Sequence, residues 1–192
     1  MAESLHPSID KGLPARSPRF KGGTLVCRCV MNPVRLAIRG QVQNCHLSGS
    51  PQSWKQKGAL FSLAAFVPVE NVGPVENKSK LKVLDKKAAV QRLACRACGV
   101  DVLVHAGQDH AFHGLALIHP ELFAEPGWAP PAFAAYVSSI IETGVEPARM
   151  KAIRARLRRL GLETYDCLSP DLMDQIAAWT ARKSGALPAS AA

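Results

Sequence analysis

Two short cysteine pairs, Cys27-Arg28-Cys29 and Cys95-Arg96-Ala97-Cys98, constrain this chain more than any other feature. A structural zinc ion takes four tetrahedral thiolate or imidazole ligands, all from protein. A Cys-x-x-Cys turn offers two sulfurs to one ion. A Cys-x-Cys in a strand places both side chains on one face, because strand side chains alternate with period two. Two such pairs, distant in sequence, can pin two strands around one metal, and Gly99 suits the tight turn after Cys98. Structural zinc therefore ranks first. A disulfide or a redox Cys-x-x-Cys ranks lower, because the βαβ context of a redox motif is missing. Ordinary buried cysteines remain a third reading, and Cys167 reads as a small apolar residue of that kind.

The surrounding composition agrees with a globular domain. The chain has 192 residues, 47% hydrophobic and 20% charged, enough to bury a core without staples. No stretch approaches the roughly 18 consecutive apolar residues of a membrane helix. Residues 1–22 carry Pro, Gly and charge but no apolar run, so they read as an extended lead-in rather than a secretory signal. A cytoplasmic location is the expectation, and reduced thiols there favour metal over disulfides. The net charge of +9 favours anionic partners without choosing among them.

Hydrophobic patterning predicts a mainly β core followed by about three helices. Short alternating runs mark strands at 24–30, 34–39, 59–67, 81–84, 89–94, 101–105 and 112–118, punctuated by Gly, Pro, Asn and Ser. Residues 131–143 carry Phe133, Val137, Ile140 and Ile141 at helical spacing. Pro147 suits a first helical position, and Met150, Ile153, Leu157 and Leu160 form a stripe behind it. Ser169-Pro170 opens a third helix that Gly185 can close. The expected organisation is a lead-in over 1–22, one zinc-binding domain over 23–185 and a disordered tail over 186–192. Within the domain, the β core covers 23–120 and the helical region 131–185.

These residues resemble the glutathione-dependent formaldehyde-activating enzymes, or S-(hydroxymethyl)glutathione synthases. The likeness begins near His6-Pro7 and runs through Phe20–Cys29 and Asn32-Pro33-Val34-Arg35. It continues in Gln91-Arg92, Cys95–Gly99, Asp109-His110, Gly114-Leu115 and Gly127-Trp128. It is densest in Phe133–Gly144, Ile153–Gly161 and Leu168–Gly185. The resemblance implies a zinc-centred, β-sandwich-like core of small sheets with added helices. It implies a structural zinc on Cys27, Cys29, Cys95 and Cys98. It also implies an activity: condensation of glutathione with formaldehyde to S-(hydroxymethyl)glutathione, a carbon–sulfur lyase reaction by convention, in formaldehyde detoxification. The implied partners are glutathione and formaldehyde, with no nucleic acid and no membrane.

The chain departs from that family at one place. The family's second, catalytic zinc is held by Cys-Gly-Cys-x-x-Cys just before a Trp, and would lower a thiol pKa and polarise an aldehyde. Aligned on Trp54 and Lys55, this chain reads Ser48-Gly49-Ser50-Pro51-Gln52-Ser53. Neutral hydroxyls are poor zinc ligands, so the second zinc is expected to be lost or weakened. Three explanations compete: a paralogue that lost its metal, deliberate Cys→Ser replacement, or a site rebuilt with Cys45, His46 or a nearby histidine. The serines otherwise form a solvated turn, or donate hydrogen bonds to a carboxylate or thiolate. The alternative function is a protein that binds glutathione or its adduct without catalysis.

Two further features allow more than one reading. His105, His110, His113 and His119 sit near strand ends. They are pocket residues or ordinary half-buried histidines, and His110 and Phe112 match family positions. Arg149, Lys151, Arg154, Arg156, Arg158 and Arg159 make one helix strongly basic. It reads as a solvated face rather than a nucleic-acid or membrane surface, because no aromatic residues interleave with the charges.

Overall fold

A computed structural model describes residues 3–188. Residues 1–2 of the expected lead-in and 189–192 of the expected tail lie outside the described residues. The architecture is mainly β, with two sheets and a helical C-terminal third. No helix among the described residues is long and apolar enough to cross a membrane.

The smaller sheet pairs β1 (Gly22–Val26), β2 (Arg35–Arg39) and β5 (Val72–Glu76), all antiparallel. The larger sheet begins with β3 (Gln43–Ser48), β4 (Ser62–Pro68) and β6 (Leu81–Val83). It continues with β7 (Val90–Cys95), β8 (Asp101–Ala106), β9 (Leu115–Ile118), β10 (Phe133–Ala135) and β11 (Glu163–Thr164). Its spatial order is β11-β10-β3-β4-β9-β8-β7-β6. The β10 strand runs parallel to both β3 and β11, and the remaining pairs are antiparallel.

Strand periodicity sorts the central residues onto two faces. Cys45, Leu47, Leu63, Ala65, Val67, Ala116 and Ile118 enter the main core, with Leu25 and Leu36 of the small sheet. Their neighbours His46, Ser48, Ala64, Phe66, Leu115 and Leu117 line a pocket on the other face. The β4 strand is almost wholly buried because both of its faces are covered.

The expected helix over 131–143 is instead β10 followed by a 3-10 segment, Ser138–Thr143. Burial explains the difference. Phe133, Ala134 and Ala135 are all buried beside β3, and sheet pairing there overrides helical spacing. The helix α1 (Met150–Arg159) buries the predicted Met150, Ile153 and Leu157, and Pro147 starts the turn before it. The helix α2 (Pro170–Lys183) follows Ser169 and packs Leu172 and Ile176 against Phe66 and Phe133.

The basic segment keeps Lys151, Arg158 and Arg159 exposed, as a solvated face does, and uses its other three arginines in ion pairs. Arg149 pairs with Glu3 at 2.6 Å, Arg154 with Asp166 at 3.0 Å and Arg156 with Asp10 at 3.6 Å. Two of those acids belong to the lead-in, which packs Leu5 and Ile9 into the core. His6 is buried with them: its Nδ1 accepts the Ser8 N–H, and its Nε2 lies 3.3 Å from the Glu121 carboxylate.

Candidate functional site

The cysteine pairs converge from two hairpins. Cys27 and Cys29 follow β1 in a turn rather than within the strand, where spacing had suggested them. That turn closes on β2: the Cys27 N–H donates to the Val34 carbonyl, and the Val34 N–H donates to the Cys27 Sγ. Cys95 ends β7, and the next three residues turn so that the Gly99 N–H returns to the Cys95 carbonyl. Gly99 takes a positive φ of 72°, which a residue without Cβ adopts without strain.

All four sulfurs lie within 4.8 Å of one another. Cys29 Sγ and Cys95 Sγ are 3.7 Å apart. A disulfide needs about 2.05 Å, whereas a tetrahedron with zinc–sulfur bonds of about 2.3 Å has edges of about 3.8 Å. The four thiols can therefore hold a metal ion such as zinc. Their environments already differ. Burial pushes the Cys27 thiol up to about 12. Burial also opposes the Cys95 thiolate, but hydrogen bonds from the Cys98 and Ala97 backbone and neighbouring thiols outweigh it and bring Cys95 to about 7.

The second site is a pocket of about 270 Å³ on the face of the large sheet turned away from the main core. It is lined by the serine loop residues Ser48, Ser50, Ser53 and Trp54, by Ala64 and Phe66 of β4, and by Arg92, Asp101 and His110. The Ser48 and Ser53 hydroxyls are 3.3 Å apart. The Ser50 N–H donates to Ser48 Oγ, and the Gln52 N–H donates to Ser50 Oγ. These oxygens are therefore engaged as hydroxyls within the loop. Three neutral hydroxyls do not fit a zinc site.

Of the residues considered for rebuilding a metal site, the structure brings His46 and His119 into the pocket and excludes Cys45. Cys45 lies on the core face of β3, where burial raises its thiol well above the usual range. His46 is stacked on Phe133 at 5.0 Å, and burial lowers its imidazole to about 4. His119 packs against the edge of Trp54 at 5.0 Å. His110 lines the pocket, and its Nδ1 accepts the Phe112 N–H; His105 and His113 do not line it.

Three basic side chains lie in or beside the pocket. Arg28, between two of the clustered cysteines, lies 5.2 Å over the Trp54 ring. Lys55 donates to the Gly49 carbonyl at 3.0 Å, and partial burial lowers its ammonium below the usual range. Arg92 pairs with the buried Asp101 at 2.7 Å. Sequence reading gave Arg92, Asp101 and Lys55 no role in the site, because a lone charge in a strand or loop carries no motif. The dipeptides Gln91-Arg92 and Trp54-Lys55 were the pointers.

No family model matches the chain. Curated relatives do. One from Aspergillus terreus is 48% identical over 185 residues, covering 96% of this chain and 97% of the relative. One from Fusarium vanettenii is 46% identical over 184 residues, covering 96% and 99%. One from Pyrenophora teres f. teres is 47% identical over 186 residues, covering 97% and 98%. Each bears the name "Putative glutathione-dependent formaldehyde-activating enzyme". With identity at that level over nearly the whole length of both chains, the chain belongs to the glutathione-dependent formaldehyde-activating enzyme family.

Proposed function

We propose that this protein condenses glutathione with formaldehyde to S-(hydroxymethyl)glutathione, a carbon–sulfur lyase reaction of cytoplasmic formaldehyde detoxification. The observation that carries it is full-length relatedness to proteins of that name, supported by a pocket lined by Ser48, Ser50 and Ser53, the positions where the resemblance puts the catalytic thiols. In this reading one zinc, on Cys27, Cys29, Cys95 and Cys98, is structural. It ties the β1–β2 hairpin to the end of β7, and through Arg28 on Trp54 it steadies the pocket rim.

Glutathione is an anion at neutral pH. Arg28 over Trp54 and Lys55 beside the serine loop supply positive charge next to the pocket, and a positive field raises the local concentration of an anionic substrate. Formaldehyde needs only a small polar recess, which the serine loop supplies. The chain acts as one zinc-binding unit over 23–185, with no nucleic-acid or membrane partner.

The test is NMR exchange spectroscopy of glutathione with formaldehyde, with and without the protein. Faster exchange between free glutathione and its hydroxymethyl adduct is the expected outcome. Unchanged exchange at saturating protein would remove the enzymatic reading. Calorimetry with glutathione would then decide whether the pocket only binds.

A further inference from the structure

We propose that this pocket runs its chemistry without a second metal: His119, through Nε2, accepts the thiol proton, and the Ser48/Ser50/Ser53 hydroxyls hold the aldehyde oxygen. The inference rests on the condensation reading above and assigns the groups that perform it.

The first observation is the tautomer of His119. Its Nδ1 lies 2.7 Å from the Leu63 carbonyl oxygen. A carbonyl only accepts, so Nδ1 carries the proton of the neutral ring and Nε2 presents a lone pair. That Nε2 is buried and has no hydrogen-bond partner, while the residue lines the pocket. Leaving a buried acceptor unmet is costly, so the site favours a ligand that brings a proton to it. A thiol S–H does.

The second observation is the arrangement across the sheet. His46 pairs with Ala64. Extending the β4–β9 register one step beyond Ala65 and Ile118 sets His119 opposite Ala64 from the other side. The two imidazoles thus flank a methyl group, which leaves open space between them. His46 also gives its Nδ1 proton to a carbonyl, that of Asn44 at 2.7 Å. Burial holds its ring neutral down to about pH 4, so it serves as a neutral wall rather than a base. The other titratable or charged groups lining the pocket with His46 and His119 are Arg92, Asp101, His110 and Tyr136.

The third observation is a donor count. Ser48 and Ser53 hold two hydroxyl protons and spend one between them. Ser50 accepts the Gln52 N–H and spends none. Two O–H donors remain for the oxygen of a small aldehyde. A fixed donor pair of this kind stabilises charge as it develops on oxygen.

The step balances with no further reactant. The S–H bond breaks and its proton goes to His119 Nε2. The sulfur lone pair forms the S–C bond, and the carbonyl π pair moves onto oxygen, held by the serine hydroxyls. The proton on Nε2 then passes to that oxygen, giving the hydroxymethyl thioether and the neutral imidazole.

The experiment measures zinc per chain and glutathione–formaldehyde exchange rates against pH, for wild type and His119→Asn. Asparagine keeps a donor for the Leu63 carbonyl but removes the Nε2 lone pair. One zinc per chain in both proteins, with exchange slowed by about 10²-fold or more and the acid limb of the pH profile lost in the variant, is expected. A Ser48→Ala/Ser53→Ala double variant removes one of the two donors and should slow exchange by about 10²-fold while keeping the pH limb; it provides the reading should His119→Asn not fold. Two zinc ions per wild-type chain, or wild-type rate and pH profile in His119→Asn, would overturn the inference while leaving the condensation reading intact. No acceleration by wild type removes the condensation reading itself.

Discussion

The backbone of Gly49 lies against the carbonyl of Tyr136 so closely that a Cβ at position 49 would collide with that oxygen and meet Ile140 Cγ2 at 3.0 Å. The Gly49 N–H also donates to the Ala135 carbonyl at 2.9 Å. The serine loop is thereby docked on the end of β10, where Tyr136 itself takes a φ of 51°. Gly49→Ala must push backbone against backbone, so we expect destabilisation of about 3 kcal/mol. For a chain of this size that lowers Tm by roughly 6–12 °C. Calorimetry that shows an unchanged Tm would mean the loop is not docked as described.

The cysteine cluster makes a prediction about metal. Four sulfurs within 4.8 Å would repel one another as thiolates without a cation between them. Protein purified without chelator should carry one zinc per chain. Cys95→Ser removes a fully buried ligand and should lose that zinc, with a stability loss above about 4 kcal/mol, the range reached when a metal site fails. Elemental analysis of the variant showing a full zinc complement would count against the four-cysteine assignment.

Much of this was legible in the sequence, and the remainder was not for identifiable reasons. The cysteine pairs announced their partnership because metal ligands have few alternative uses. Seven strands showed themselves by alternation. The β3 strand did not, because its pocket-facing positions are His46 and Ser48 and its hydrophobic alternation is only Cys45 and Leu47. The Phe133-Ala134-Ala135 stretch has helix-favouring alanines, and only pairing with β3 makes it a strand. The clamps from α1 to the lead-in join residues as far apart as Glu3 and Arg149, and no local pattern encodes that. The same holds for His119, whose tautomer is set by the Leu63 carbonyl one strand away.

Acid should destabilise the protein through His46. Burial lowers its folded pKa from 6.5 to about 4, so between those values the unfolded chain binds the extra proton. Stability from this group is complete above pH 6.5 and is lost as pH falls toward 4, by about 3 kcal/mol in total. Urea denaturation at pH 7.5, 6, 5 and 4.5 should show that decline. His46→Asn, which cannot take up a proton, should flatten it; an equal slope in the variant would assign the pH sensitivity elsewhere.

The lead-in should loosen without the basic helix. Arg156 donates to the Glu3 carbonyl at 2.6 Å and lies 3.6 Å from Asp10. Arg156→Ala removes both contacts at once. Because the ion pair is partly exposed, the global loss should be small, about 1 kcal/mol or less. Local opening is the sensitive readout, and limited proteolysis should cut near Lys11 and Arg16 faster in the variant. Identical cleavage rates would show that Leu5 and Ile9 anchor the segment unaided.

The serine loop permits a direct test of how far its geometry has moved from that of a metal site. Ser48 and Ser53 hold their side-chain oxygens 3.3 Å apart, close to the edge of about 3.8 Å between thiolates on one zinc ion. The loop is fixed by Gly49 on the Ala135 carbonyl and by the Lys55 bond to the Gly49 carbonyl, neither of which involves a serine side chain. Replacing all three serines, Ser48→Cys, Ser50→Cys and Ser53→Cys, changes the donor chemistry and leaves those backbone anchors in place. Three thiolates and one open position would then face the pocket. Zinc content should rise from one to two per chain, and the added ion should be removed by chelator before the four-cysteine ion, which is closed by four protein ligands. A triple variant that stays at one zinc while keeping the wild-type fold by circular dichroism would mean the loop no longer converges its three side chains on a single point.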